Sequence, residues 1–185
     1  MSRKLSSRSH WRAQESTDPY VEQAAQRQLR SRAWFKLEQI DSKERFFRPG
    51  LRCVDLGAAP GGWSQYAADA VGNDGGVWAI DLLSMDPLGG VTFMQGDFTD
   101  QSVRASLIES IGDQSVDLVM SDMAPNISGN RSVDQPRSIA LAEEAMDFCE
   151  GMLHPGGALL VKLFQGEGFE GFVSLSRRHF SRVKL

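Results

Sequence analysis

Asp55-Leu56-Gly57-Ala58-Ala59-Pro60-Gly61-Gly62-Trp63 is the stretch that decides the fold of this 185-residue chain. An apolar run over 51–56 carries an acid near its end and then breaks into small residues and glycines. A helix-like segment over 63–70 follows directly. Strand, glycine-rich turn, helix is the order in which backbone can approach a nucleotide-like ligand closely. Further on, Val77-Trp78-Ala79-Ile80-Asp81 places a second acid at the end of a second strand, where a carboxylate can hold a ribose diol. Glycine and proline in a turn often have a purely conformational meaning. The full string from Asp55 is far more specific than a pattern of glycines.

Working outward, the pattern alternates. Apolar runs predict strands over 51–56, 77–81, 91–95, 116–121 and 158–163, with helices over 63–70, 100–111, 134–153 and 169–180. The strands are nearly continuous in apolar residues, as when helices cover both faces of a sheet. The fold class is therefore α/β, a doubly wound, mostly parallel, Rossmann-like sheet. Before it, Asp18-Pro19 starts a helix over 20–29, and a second helix over 31–40 carries Trp34, Leu37 and Ile40 on one side. Residues 1–16 read as a flexible basic arm, and 17–185 as a single domain. The end, Ser181-Arg182-Val183-Lys184-Leu185, looks like the start of another strand, so the domain reads as incomplete at its C-terminus.

Composition narrows the class. With 41% hydrophobic and 24% charged residues the chain is that of a globular protein, and no apolar run is long enough for a membrane span or a signal peptide. A cytoplasmic monomer is the expectation. Cys53 and Cys149 lie in apolar contexts and read as reduced and buried; His10, His154 and His179 lack metal-ligand spacing, and His154 reads as a helix-end residue. Net charge is −4, so a polyanionic partner is suggested only by distribution. Arg8, Arg12, Arg27, Arg30 and Arg32 crowd the N-terminal region, and basic ends could track phosphates if they share a face. A solvated tail and helix face explain the same residues.

Several separate strings now meet. Besides the 55–63 turn there are Ser31-Arg32-Ala33-Trp34-Phe35-Lys36-Leu37, Asp81-Leu82-Leu83-Ser84-Met85, Gln95-Gly96-Asp97-Phe98, Ser121-Asp122-Met123-Ala124-Pro125-Asn126 and Val161-Lys162-Leu163-Phe164-Gln165-Gly166. Together they resemble the FtsJ/RrmJ family of ribose 2'-O-methyltransferases over nearly the whole chain. The resemblance implies S-adenosylmethionine (SAM) as cofactor, held by Gly57, Gly61, Gly62, Trp63, Asp81, Asp97 and Asp122. It implies Lys162, Asp122 and Lys36 as catalytic residues, no metal, and an RNA substrate. Family relatives act on ribosomal RNA, transfer RNA or messenger RNA caps. The compact chain favours ribosomal RNA of the large subunit, with a uridine of the peptidyl-transferase A-loop as the family expectation. The family's further catalytic glutamate has no match here.

Residue chemistry runs beside that resemblance. Gly57, Asp81, Asp97, Asp122 and Lys162 each follow a predicted strand, and so share the carboxyl rim where open α/β sheets bind ligands. A lysine within a buried strand is costly unless paired or neutral, which favours function for Lys162. As a general base it would need its pKa depressed by burial and a neighbouring cation such as Lys36, against the opposing charge of Asp122. Lys36 alone reads equally as a surface lysine, or as a group holding the ribose or its phosphate; which lysine dominates stays open. Asp122 and Asp97 could be turn residues, and Trp63 ordinary core. A nicotinamide dehydrogenase has no use for Lys36, Asp122 and Lys162, and a base amino-methyltransferase normally places an aromatic residue where Asn126 and Ile127 stand. A non-catalytic RNA-binding module is the alternative from a different class.

Overall fold

The computed structural model describes residues 19–113, 115–125 and 128–185; the basic arm with Arg8 and Arg12 lies outside them. Two helices lead, α1 (Pro19–Gln26) and α2 (Ala33–Glu44). Proline suits the first turn of α1, having no N–H to leave unpaired there. That helix stops short of the expected 29, and Gln28 turns to φ 55. Helix α2 instead runs past 40 through Asp41-Ser42-Lys43-Glu44, which carry no apolar signal. Asp41 explains the extension. One carboxylate oxygen accepts the Phe47 N–H at 3.0 Å and the other accepts the Tyr66 hydroxyl at 2.7 Å.

The remaining elements alternate: β1 (Arg52–Leu56), α3 (Gly62–Val71), β2 (Gly76–Asp81), β3 (Val91–Gln95), α4 (Gln101–Ile111), β4 (Val116–Ser121), α5 (Arg131–Met152), β5 (Leu153–Val161) and α6 (Phe169–His179). The five strands are all parallel, in the order β3-β2-β1-β4-β5. From β1 the chain winds outward to β2 and β3, then returns to lay β4 on the other side of β1. This reversal opens a crevice beyond the carboxyl ends of β1 and β4.

Both faces of the sheet are covered, as the apolar strands require. On one face Val54 and Leu56 pack with Leu107, Phe148 and Cys149 from α4 and α5. On the other, Cys53, Leu118 and Met120 pack with Leu37 of α2 and with Trp63, Ala67 and Val71 of α3. Fully buried side chains such as Leu56 and Phe148 each stabilise the fold by about 1.5–3 kcal/mol. Both cysteines are buried and free, and burial pushes each thiol up to about 12.

Three expectations are corrected at the β5 edge. The strand begins at Leu153, ahead of the predicted 158, because Pro155-Gly156-Gly157 is absorbed as an irregularity between the pairs Val116↔Leu153 and Leu118↔Ala158. His154 accordingly lies in a strand rather than at a helix end, with Nε2 2.9 Å from Asp117 Oδ1. Residues 181–185 form no strand; Lys184 instead pairs with Glu44 of α2.

Candidate active site

The 57–63 turn is shaped by contacts that exclude side chains. Gly57 adopts φ +82, and a Cβ there would lie 2.8 Å from the backbone of Met123. Its N–H, like that of Ala58, donates to the Ile80 carbonyl, at 2.9 and 3.1 Å. Gly61 caps α3 at φ +108, where a Cβ would meet Met85 Sδ at 2.8 Å. A Cβ on Gly62 would fall 2.2 Å from Ser31 Oγ. The Ala59–Pro60 peptide is cis. Trp63 is buried and donates its indole N–H to the Ala33 carbonyl at 3.1 Å, tying the start of α3 to α2. A narrow cleft results, lined by Ser31, Ala33, Asp55, the turn and Asp122.

Asp55 forms part of this cleft, although its place in the sequence pattern suggested no role for it. It is 0% exposed; Oδ2 accepts the Ser64 hydroxyl at 2.6 Å, while Oδ1 is buried with no hydrogen-bond partner among the described residues. Burial raises its pKa most, the Ser64 hydroxyl pulls the other way, and the charges of Asp122 and Asp81 add to the rise, to about 7. A buried carboxyl with an open oxygen suits a ligand that brings a donor or a cation. The available signal was a charge within the apolar run Cys53-Val54-Asp55-Leu56.

Asp81 stands half-buried at the end of β2, where it links two loops. Its Oδ2 accepts the Ala59 N–H at 2.9 Å and its Oδ1 the Leu83 N–H at 2.8 Å. Asp97, past the end of β3, is exposed, and its Oδ1 accepts both the backbone N–H (2.9 Å) and the hydroxyl (2.7 Å) of Thr99. That is an Asx turn leading into α4. Neither carboxylate lines the narrow cleft.

At the end of β4 the Asp122 N–H donates to the Leu56 carbonyl at 3.0 Å, and its side chain borders the cleft. The Lys162 N–H donates to the Ser121 carbonyl at 2.9 Å, which sets the lysine directly beside Asp122. The two side chains form an ion pair. The expected surroundings of Lys162 are corrected here. Lys162 lies just beyond β5 with its side chain 41% exposed; Asp122 is beside it as expected, but Lys36 lines a different groove. The burial expected of Lys162 belongs to Asp55.

Lys36 faces a different groove, between α1 and α2, together with Tyr20, Arg32, Phe35 and Gln39. The cleft lining does not include it. Two other described arginines of the N-terminal region are engaged. Arg27 stacks its guanidinium 4.8 Å from the Trp34 ring centroid. Arg30 donates to the carbonyls of Asp86 (3.1 Å) and Pro87 (2.7 Å), closing the loop after β2 against the glycine turn.

A Rossmann-like sheet thus carries a glycine-turn cleft, two acids on the same rim outside its lining, and a lysine–aspartate pair at its lip. The family to which this chain belongs is the FtsJ-like methyltransferases, whose family model matches residues 29–185. A solved structure from Plasmodium falciparum, described as a candidate ribosomal RNA methyltransferase, is 29% identical, with a TM-score of 0.78 over 84% of this chain and 89% of its own. The MycE methyltransferase of the mycinamycin biosynthetic pathway, solved with Mg and SAH, shares the fold, with a TM-score of 0.53 at 18% identity. That match covers 91% of this chain and 41% of MycE. Among the described residues no helix is long and apolar enough to cross a membrane.

Proposed function

We propose that this protein transfers a methyl group from SAM to a ribose 2'-hydroxyl of RNA. The substrate assigned is large-subunit ribosomal RNA, at a uridine of the peptidyl-transferase A-loop. The observation that carries the reading is the Lys162–Asp122 pair at the lip of the glycine-turn cleft, within a methyltransferase family fold. The cleft suits the cofactor: it is lined by the turn at Gly57, Ala58, Ala59 and Gly62, by Trp63, and by Asp55 with its unpartnered buried oxygen. Asp81 would take the cofactor's ribose hydroxyls, and Asp97 would lie near its adenine. SAM supplies a methyl group already activated on a sulfonium.

The chain's own residues then position the acceptor and move a proton. Asp122 orients the Lys162 amine toward the 2'-oxygen. Lys162, in its neutral form, would take the hydroxyl proton as general base, while bound SAM would supply the methyl group to the 2'-oxygen and leave as the neutral thioether. RNA docked over the rim would bury Lys162 and supply the desolvation that the open site lacks. Lys36, Arg32 and the N-terminal arginines would hold phosphates.

Labelled SAM incubated with purified large subunits, followed by mapping of the modified nucleotide, tests this. The expected result is one labelled 2'-O-methylribose in the A-loop. Transfer RNA and capped messenger RNA are offered in parallel reactions; label confined to either would move the substrate, and label on a base would overturn the ribose assignment.

A further inference from the structure

We propose that Phe164 stacks on the base of the nucleotide whose ribose is methylated, so that the loop after β5 sets the acceptor in front of Lys162. The inference rests on the reading that an RNA ribose is the acceptor. Residues 162–164 alternate. Leu163 packs inward among Met146, Phe172 and their neighbours, while Lys162 and Phe164 are both exposed, Phe164 at 46%. The Lys162 amine lies 6.0 Å from the centroid of the Phe164 ring and is paired with Asp122, which borders the cofactor cleft. The ring therefore stands beside the one amine that the mechanism places at the 2'-oxygen.

A lone exposed apolar side chain is ordinary. This one is held in place. Gln135 of α5 clamps the loop from both ends, donating through Nε2 to the Gln165 carbonyl and accepting the Glu167 N–H at Oε1, each at 3.2 Å. Between those two bonds, Gly166 (φ +153) sits so close that a Cβ would fall 1.9 Å from Gln135 Nε2. The clamp spans 165–167, directly after Phe164, so the backbone that carries the ring is anchored on that side and has less freedom to lose on binding. In a nucleotide the base hangs from the carbon next to the one bearing the 2'-hydroxyl. A ribose facing Lys162 thus brings its base beside the lysine, within reach of the Phe164 ring. Splayed-out RNA bases are commonly held by stacking on aromatic faces.

The test is steady-state methylation of large-subunit RNA by the full chain carrying Phe164→Ala, Phe164→Leu or Phe164→Tyr, with SAM affinity measured by calorimetry. Phe164→Ala should lower kcat/KM for RNA roughly 5- to 150-fold, mainly through KM, with SAM affinity unmoved. Phe164→Leu keeps the bulk but not the π face and should resemble Ala, whereas Tyr should restore the wild-type value. Gln135→Ala, which frees the loop but keeps the ring, should fall between. Wild-type turnover with an indifferent Phe164→Ala, or a Leu variant as good as Phe, overturns the stacking role alone. Wild-type protein that binds SAM but places its methyl group on a base rather than a ribose overturns the acceptor reading, and Phe164 with it.

Discussion

The two flanks of the carboxyl rim are built to different tolerances. Beyond β1 and β2 the loops are tied closely together: Gly57 lies against Met123, the Asp81 carboxylate bridges the Ala59 and Leu83 N–H groups, and the Arg30 guanidinium fastens the 86–87 carbonyls. Beyond β4 and β5, Lys162 and Phe164 stand in solvent, steadied by one carboxylate and one clamped loop. A preformed, narrow flank fits a small ligand whose shape never varies. An open flank fits a large partner that closes the site by docking on it. Under the proposed function the first flank would govern cofactor affinity and the second turnover, and each prediction below perturbs one of them.

Lys162→Ala should have the largest effect, lowering methyl transfer by about 10²–10⁴-fold while calorimetric SAM affinity stays as in wild type. Lys162→Arg should fail equally, since a guanidinium does not give up its proton. Substantial turnover by the Arg variant would leave Lys162 as a positioning charge only. A matching drop in SAM affinity would show that the flanks are not separable.

Asp55 gives the next largest effect. Its pKa is raised to about 7 in the fold, so the folded state binds a proton that the unfolded state has already released above pH ~4. Its contribution to stability is full below that point and is lost as pH rises to about 7. Urea unfolding of the free protein should show a decline on the order of a few kcal/mol across this window, and Asp55→Asn should remove it. Identical slopes in the two proteins would mean that Asp55 titrates normally.

Gly57→Ala should destabilise by about 1–3 kcal/mol from backbone strain, with a further penalty from the collision with Met123, and should weaken SAM binding. Gly50→Ala is the control: φ there is +83, but a Cβ would meet nothing within 4 Å. Equal costs at the two positions would remove the close-approach argument. The smallest effect is expected for Arg8, Arg12 and Arg32 changed together to Ala. For every phosphate left without its arginine, the salt dependence of RNA affinity should flatten by about 0.7 in log–log slope, with SAM affinity untouched. An unaltered slope would make these arginines a solvated surface.

What the sequence disclosed follows from the same division. Apolar runs flanked by glycine and acid located every strand of the rim, because a parallel sheet covered on both faces leaves little else for those positions. The lysine–aspartate pair was legible as two strand ends, since adjacent parallel strands deliver their last residues side by side. Burial was misassigned. Val161 and Leu163 make Lys162 look interior, yet β5 stops at Val161 and the lysine emerges. Asp55 looked like part of a turn signature, although it is fully enclosed. Which residue of an acid-bearing strand falls under a helix depends on where α3 docks, and Ser64 reveals that only once placed. The extension of α2 rests on bonds from Asp41 to Phe47 and Tyr66, which no local periodicity encodes.

The placement of β1 between β2 and β4 also bears on how the molecule assembles. Strand β1 meets β2 after one short helix, but its pairing with β4 spans a long loop of chain: the Arg52 N–H reaches Asp117 across 65 residues. Pairings so distant in sequence close slowly. Met123 reaches Gly57, and Asp122 reaches the Leu56 carbonyl, only when that closure is complete. A refolding chain will therefore regain helical and strand signal over its first half before it can bind any ligand. Recovery of the cleft then serves as a clock for the last long-range step, the seating of β4.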